Sequence, residues 1–261
     1  MTASLAARQT AALARRAVVG NFRFPQAWFP SLFFPLVLMA IFTASFDRGI
    51  GAIPGFPEVR GFLDFVLAGT VFQGVLIGGV SAGAFFASDM EGGFFDRLVS
   101  SPVARIALLT SRLLAGVVLA FGQALLFLAV ALAFGAEVQG GVPGALVLLG
   151  LAALLALPIG GLGILLALRT GSAEAVQGTF PLFFALIFFS SAFFPRETMT
   201  GWFRTVADLN PVSWLVEGMR VQVVEGLDWG AAGTSLGVIA VTGAVTVGLS
   251  AVALRRRLGG A

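Results

Sequence analysis

Long apolar runs are the feature that most restricts how this chain can fold. A transmembrane helix needs about 20 predominantly apolar residues to cross the hydrocarbon core of a bilayer. Six segments meet this requirement, at about 27–46, 63–87, 107–134, 144–168, 176–194 and 230–254. Only 11% of the residues are charged, and the runs have helical length rather than the short alternating pattern of an outer-membrane barrel. The sequence therefore predicts an all-α polytopic membrane protein with one transmembrane domain over residues 1–261.

The placement of arginine predicts the orientation of the six spans. All 16 basic residues are arginine. With both termini in the cytoplasm, the inner segments hold 11 of them and the outer segments hold the other five, Arg48, Arg60, Arg196, Arg204 and Arg220. This excess follows the positive-inside rule. We therefore expect a multi-pass protein with both termini in the cytoplasm.

Residues 1–26 predict an amphipathic cytoplasmic segment. They lack the continuous apolar core and the cleavage site of a secretory signal peptide. Apolar residues separate its four arginines, Arg8, Arg15, Arg16 and Arg23. This pattern is typical of a helix that lies on an anionic leaflet, and a solvated arm is the alternative.

Three missing residue types exclude several kinds of site. Without cysteine the chain forms no disulfide or thiolate metal site, and without histidine it lacks the commonest metal ligand and general base. Without lysine it cannot form a Walker A phosphate loop. We expect no catalytic residue, metal or cofactor in this chain, so any ATP and Mg²⁺ would be bound by a partner. The span centres carry almost no charge, which argues against a proton-coupled transporter but leaves open a sodium site built from backbone carbonyls.

A polar stretch, DMEGGFFDRLVSSPVAR at residues 89–105, separates the second and third runs. It predicts a short helix from about Gly93 to Ser100 with Asp89 as its cap, and then a break at Pro102, with Ser101 capping the third span. A short helix joined rigidly to a span can transmit force from a partner protein. A solvated linker is the alternative.

Phenylalanine is abundant in the fifth run, where Phe180, Phe184 and Phe188 share one helical face. With Phe33, Phe72 and Gln73 they are predicted to line a cavity in which a planar apolar compound stacks. Lipid contact is the alternative.

Glycines in the second run favour close approach by neighbouring helices. Gly74 and Gly78 are four residues apart, as are Gly79 and Gly83. Generic packing and a mobile interface are both compatible with this spacing.

The segment 195–229 is too apolar for a solvated loop and too broken to span. Pro211 divides it into two short amphipathic pieces, and its tryptophans are typical of membrane interfaces. We predict helices that dip into the outer leaflet, with Glu217 and Arg220 paired on one face. A lid that merely covers the bundle is the alternative.

Three motifs in order resemble the ABC-2 type exporter permeases, especially the daunorubicin-resistance type. DMEGGFFDRLVSSPVARIALLTSRLLA resembles the cytoplasmic loop of that family, and RTGSAEAVQGTFPLFF is similar to the start of its fifth span. SSAFFPRETMTGWFRTVADLNPVSWLVEGMR, residues 190–220, is similar to its second signature, before the last span. With six spans of suitable spacing, the resemblance covers nearly the whole chain.

The resemblance implies the membrane half of an ATP-driven exporter in a bacterial inner membrane. Two permease copies, most simply a homodimer, would work with two copies of a separate ATPase that binds ATP and Mg²⁺. The N-terminal segment would be the connecting helix. A coupling helix at about 93–101 would seat in the ATPase through Gly92, Gly93, Phe94, Phe95, Asp96, Arg97, Leu98, Ser101 and Pro102. An extracellular gate would include Phe194, Pro195, Trp202, Asn210, Pro211, Glu217 and Arg220. Trp214 departs from the pattern, since a smaller residue is expected there.

The expected function is export of hydrophobic drug-like or lipid-like molecules, with membrane lipid and the cargo as partners and no nucleic acid. Export of a lipid-linked glycan by the same kind of machine is the first alternative. An ion-coupled secondary transporter and a scaffold that transports nothing are the others.

Overall fold

A computed structural model of the chain describes residues 3–23 and 25–259, which form helices and no strands. Residues 1, 2 and 24 of the predicted N-terminal segment lie outside the described residues, as do 260 and 261. The long helices are α1 (Ala3–Arg23), α2 (Pro25–Phe46), α3 (Phe62–Glu91), α5 (Arg105–Ala133), α6 (Gly141–Thr170) and α11 (Trp229–Gly259). The short helices are α4 (Phe94–Val99), α7 (Ala173–Gln177), α8 (Phe180–Phe188), α9 (Gly201–Leu209) and α10 (Pro211–Val224). The predicted all-α class is confirmed.

Five helices in the described part of the chain, α2, α3, α5, α6 and α11, are long and apolar enough to cross a membrane. The predicted fifth span, 176–194, differs because it is divided between α7 and α8 and the helix ends at Phe188. Pro181 explains the division, since proline has no amide hydrogen to continue α7 but suits the first turn of a new helix. Nine residues of helix extend only about 14 Å, less than half of a hydrocarbon core of about 30 Å.

The central helix is α3, which packs against α2, α5, α6 and α10. Glycines let α6 come close to it: a methyl group at Gly83 would lie 2.8 Å from the backbone of Gly163. A methyl group at Gly74 would clash with the ring of Phe127 on α5. The close approach predicted from the glycine spacing is therefore present on two sides of α3.

The short helices α4 and α7 lie at one end of this bundle and α9 and α10 at the other, and we call these the α4 end and the α10 end. At the α4 end, the carboxylate of Glu91 accepts a hydrogen bond from the amide of Ala173 at 2.9 Å. At the α10 end, Asp64 accepts one from the amide of Glu137 at 3.0 Å. A carboxylate of α3 therefore accepts a hydrogen bond from the backbone at each end of the bundle.

Candidate functional site

The helix α4 follows α3 after a turn of two glycines. Gly93 has a φ of +68°, a left-handed conformation in which glycine carries no steric penalty. The ring of Phe95 is buried and meets Phe86 of α3 edge-on, with 5.6 Å between centroids. Asp96 and Arg97 are exposed. The structure therefore contains the predicted short helix, anchored by one phenylalanine and presenting two opposite charges.

Two predicted caps near α4 are wrong. Asp89 lies in the last turn of α3 and pairs with Arg112 of α5, because the glycine turn carries the chain away before α4 begins. Ser101 donates from its hydroxyl back to the carbonyl of Leu98 at 2.7 Å, and α5 begins only at Arg105. Pro102 lies in the connecting turn rather than at the start of α5.

The N-terminal helix α1 is bonded to the segment that joins α4 to α5. The side-chain nitrogen of Gln9 donates to the backbone carbonyl of Pro102 at 3.0 Å. The side-chain oxygen of Gln9 accepts from the backbone amide of Ala104 at 3.0 Å. The hydroxyls of Thr10 and Thr110 are 3.3 Å apart. A helix predicted to lie on the membrane surface thus holds the connection between α4 and α5 in place.

An ionic cluster completes the α4 end. Asp89 pairs with Arg112, and a guanidinium nitrogen of Arg16 lies 3.6 Å from the same carboxylate. The guanidinium of Arg16 also lies over the ring of Phe94. The sequence analysis did not predict that Gln9, Asp89 and Arg112 lie close together at the α4 end. The available signal was a carboxylate at the end of one apolar run and an arginine near the start of the next.

Three of the four phenylalanines of α8, Phe180, Phe184 and Phe188, form a row of rings. The centroid distances are 5.3 Å from Phe180 to Phe184 and 5.1 Å from Phe184 to Phe188. Phe180 also lines a cavity of about 360 Å³ with residues of α2, α3 and α7. The predicted row of rings is therefore present, and one of its rings, Phe180, lines a cavity.

The other residues predicted for this cavity lie elsewhere. Phe33 is exposed on α2 and stacks on Phe29, with 5.0 Å between centroids. Phe72 and Gln73 are buried in the core around α3. The side-chain amide of Gln73 has no hydrogen-bonding partner among the described residues.

The predicted gate residues around Asn210 connect α8 to α10. The side-chain oxygen of Asn210 accepts from the amide of Val212 at 2.9 Å and caps α10, with Pro211 as the first helical residue. Its nitrogen donates to the carbonyls of Leu186 at 2.7 Å and Phe189 at 2.9 Å. One side chain therefore ends α8 and begins α10.

Arg220 forms a second connection in this region, deep in the bundle. Its guanidinium donates to the carbonyls of Phe65 at 3.1 Å, Ser191 at 2.7 Å and Ala192 at 2.8 Å. The predicted pair between Glu217 and Arg220 is wrong. Glu217 pairs with Arg196, while burial turns Arg220 toward backbone carbonyls on α3 and on the segment after α8.

The remaining gate residues divide between the core and the surface. The ring of Phe194 meets Phe46 edge-on with 5.5 Å between centroids, Pro195 is buried, and Trp202 is exposed on α9. Trp214, the departure from the family pattern, lies under the guanidinium of Arg196 at 4.2 Å.

The two helices predicted for the segment 195–229 are present as α9 and α10. However, α10 packs against α3, α6 and α11 rather than lying at a surface. Gly218 permits this packing, because a methyl group there would clash with Ser235 of α11. Of these two helices, α9 is the more exposed.

Comparison with known proteins adds an independent finding. Residues 8–224 match the family model described as ABC-2 type transporter. The chain is also 31% identical over 214 residues to the daunorubicin resistance ABC transporter permease protein of Streptomyces coeruleorubidus, which covers 78% of this chain and 71% of that protein. The range matched by the family model includes both the α4 end with α1 and the segment from α8 to α10.

Proposed function

Since this chain belongs to the ABC-2 type transporter family, we propose that it exports hydrophobic drug-like molecules with energy from a separate ATPase subunit. The transporter would contain two copies of this chain and two copies of the ATPase, which binds ATP and Mg²⁺ and hydrolyses the nucleotide. It would lie in a bacterial inner membrane with both termini in the cytoplasm.

The observation that carries this proposal is the construction of α4. It is a six-residue helix with exposed charges at Asp96 and Arg97, set on a glycine turn and anchored by the buried ring of Phe95. The hydrogen bonds of Gln9 fix the segment that follows it. A short amphipathic helix held this firmly is suited to seat in a groove of a partner and to pass its displacement to α3 and α5.

The choice of a drug-like cargo has separate support. The similar permease of S. coeruleorubidus carries daunorubicin resistance in its name. In this chain the ring row of Phe180, Phe184 and Phe188 offers aromatic faces to a planar apolar molecule. The cavity beside Phe180 is within the range of small-molecule sites, about 300–1,000 Å³.

The transport cycle would use both ends of the bundle. Closure of the ATPase pair on ATP would draw the two copies of α4 together and narrow an inward-facing cavity between the permeases. Cargo would leave past the α10 end, where Asn210 and Arg220 hold the segment after α8.

The test is ATP hydrolysis by the co-expressed ATPase in proteoliposomes, with and without this chain, in the presence of planar aromatic compounds. Asp96→Arg should abolish the stimulation by these compounds while leaving the amount of inserted permease unchanged. Glu225→Arg, the same charge reversal at an exposed residue of the α10 end, is the control and should keep the stimulation. If no ATPase co-purifies and hydrolysis is indifferent to this chain, the exporter proposal is wrong. If the compounds still stimulate ATP hydrolysis normally with the Asp96→Arg variant, the proposed role of α4 is wrong.

A further inference from the structure

Two adjoining cavities lie between α1 and the bundle, away from the ring row of α8. Each has a volume of about 490 Å³. They share the lining residues Asn21, Ala82, Arg112, Gly116 and Leu119. The two cavities therefore adjoin, and we call them together the amphipathic cavity.

The part of the amphipathic cavity nearest α4 is strongly basic. Four arginines line it, Arg15, Arg16, Arg23 and Arg112, and Asp89 is the one carboxylate among its lining residues. Asp89 already pairs with Arg112 and Arg16, whereas Arg15 and Arg23 are exposed. An anion that entered here would meet an excess of positive charge.

The other part of the amphipathic cavity is mainly apolar. Its walls come from α1, α2, α3, α5 and α6 and include the side chains of Leu32, Val75, Leu126 and Ile164. Glycines keep the space open, and a methyl group at Gly122 would meet no other atom within 4 Å. This part is suited to a hydrocarbon chain.

We propose that the amphipathic cavity binds one anionic phospholipid, with its phosphate at the arginines and an acyl chain in the apolar part. Guanidinium groups bind phosphate through paired hydrogen bonds, and basic pockets between spans on the cytoplasmic side bind anionic headgroups. The positive charge of the four arginines would repel a cationic amphiphile. The amphipathic cavity adjoins the cavity beside Phe180, with which it shares Ser81 and Phe85 but no arginine.

The position of the lipid gives it a structural role. It would fill the space between α1 and the helices α3 and α5, beside the residues of α1 that hold α4. This inference rests on the proposed orientation, with the α4 end in the cytoplasm, but it does not depend on the proposed export function.

The first test measures lipid binding to the purified chain by native mass spectrometry, with phosphatidylglycerol and phosphatidylcholine of the same chain length. We expect phosphatidylglycerol to bind preferentially. The double variant Arg15→Gln/Arg23→Gln should bind it about 30-fold more weakly, since each arginine near the membrane surface contributes a factor of about five to six. Arg255→Gln/Arg256→Gln removes two exposed arginines of α11 that do not line the cavity, and it should leave the preference unchanged.

The second test addresses the apolar part. Gly122→Leu should fill the space and weaken phosphatidylglycerol binding, whereas Gly237→Leu, in open space on α11, should not. Glycerol 3-phosphate, the headgroup without chains, should fail to compete. Equal binding of the two lipids, or equal effects of the two arginine double variants, would overturn the proposal. Competition by glycerol 3-phosphate would reduce the site to an anion site and contradict the acyl-chain part.

Discussion

The guanidinium carbon of Arg16 lies 3.7 Å from the centre of the Phe94 ring. This contact joins the N-terminal helix α1 to the first residue of α4. Arg16 also approaches Asp89 in the last turn of α3, so one side chain contacts both helices that flank the glycine turn. The orientation of α4 therefore depends on α1 as well as on its own sequence.

Phe94→Leu should loosen α1 while keeping a large apolar side chain at the start of α4. A leucine has no aromatic face, so a cation–π interaction of about 0.5–2 kcal/mol is lost. We expect faster hydrogen exchange of the α1 amides, measured by mass spectrometry on the purified chain. Phe94→Tyr keeps the aromatic face and should exchange like the wild type. Equal exchange in the leucine and tyrosine variants would show that the ring face does not hold α1.

The contact between Thr10 and Thr110 provides a direct test of the packing of α1 on α5. Because the chain has no cysteine, the double variant Thr10→Cys/Thr110→Cys introduces the only two thiols. The present hydroxyls are 3.3 Å apart, so mild oxidation should form a disulfide. The loss of both thiols would be counted with a maleimide reagent. Thr10→Cys/Thr234→Cys, with the second thiol on α11 at the α10 end, should keep both. Persistent reactivity of the first pair would contradict the placement of α1.

Gly83→Ala should destabilise the bundle, although alanine favours a helix over glycine by about 1 kcal/mol. The added methyl group would lie 2.8 Å from the backbone of Gly163, which cannot move without separating α3 from α6. Overpacking of this kind costs about 1–3 kcal/mol, so the melting temperature in detergent should fall. Gly237→Ala, in open space on α11, should leave it equal or raise it. A rise in both variants would mean that α3 and α6 are further apart.

Arg220→Lys should destabilise the α10 end while preserving the positive charge. Lysine lacks the planar fork that reaches the carbonyls of Phe65, Ser191 and Ala192 together. Each buried carbonyl left without a donor costs about 1–3 kcal/mol. The midpoint of denaturant unfolding should therefore fall well below that of Arg204→Lys, which alters a half-exposed arginine of α9. Similar midpoints would show that charge alone holds Arg220 in place.

The elements that depend on local sequence were predictable. Five of the six predicted spans correspond to long apolar helices, because membrane insertion depends on the length and composition of one segment. The helix α4 was predictable for the same kind of reason. Gly92 and Gly93 end α3, and Pro102 disfavours helix after Ser100, within a stretch of about ten residues.

The partners of polar side chains were harder to predict, since they depend on which helices become neighbours. Glu217 and Arg220 have the spacing of a helical pair, yet Glu217 pairs with Arg196 and Arg220 bonds backbone carbonyls. Similarly, Phe33 and Phe180 belong to runs that both contain aromatic rings, but helical period alone does not say which faces meet. The cavity between α1 and the bundle involves five helices, so no single segment contains its signal.

The length of α3 has a mechanical consequence. Its 30 residues form an unbroken rod of about 45 Å, with the glycine turn to α4 at one end and Phe65, a partner of Arg220, near the other. If the rod tilts when α4 is displaced, the carbonyl of Phe65 moves with it. Arg220 must then either follow, taking the segment after α8 along, or give up that hydrogen bond. A push at the α4 end and a loosening at the α10 end would then be a single event.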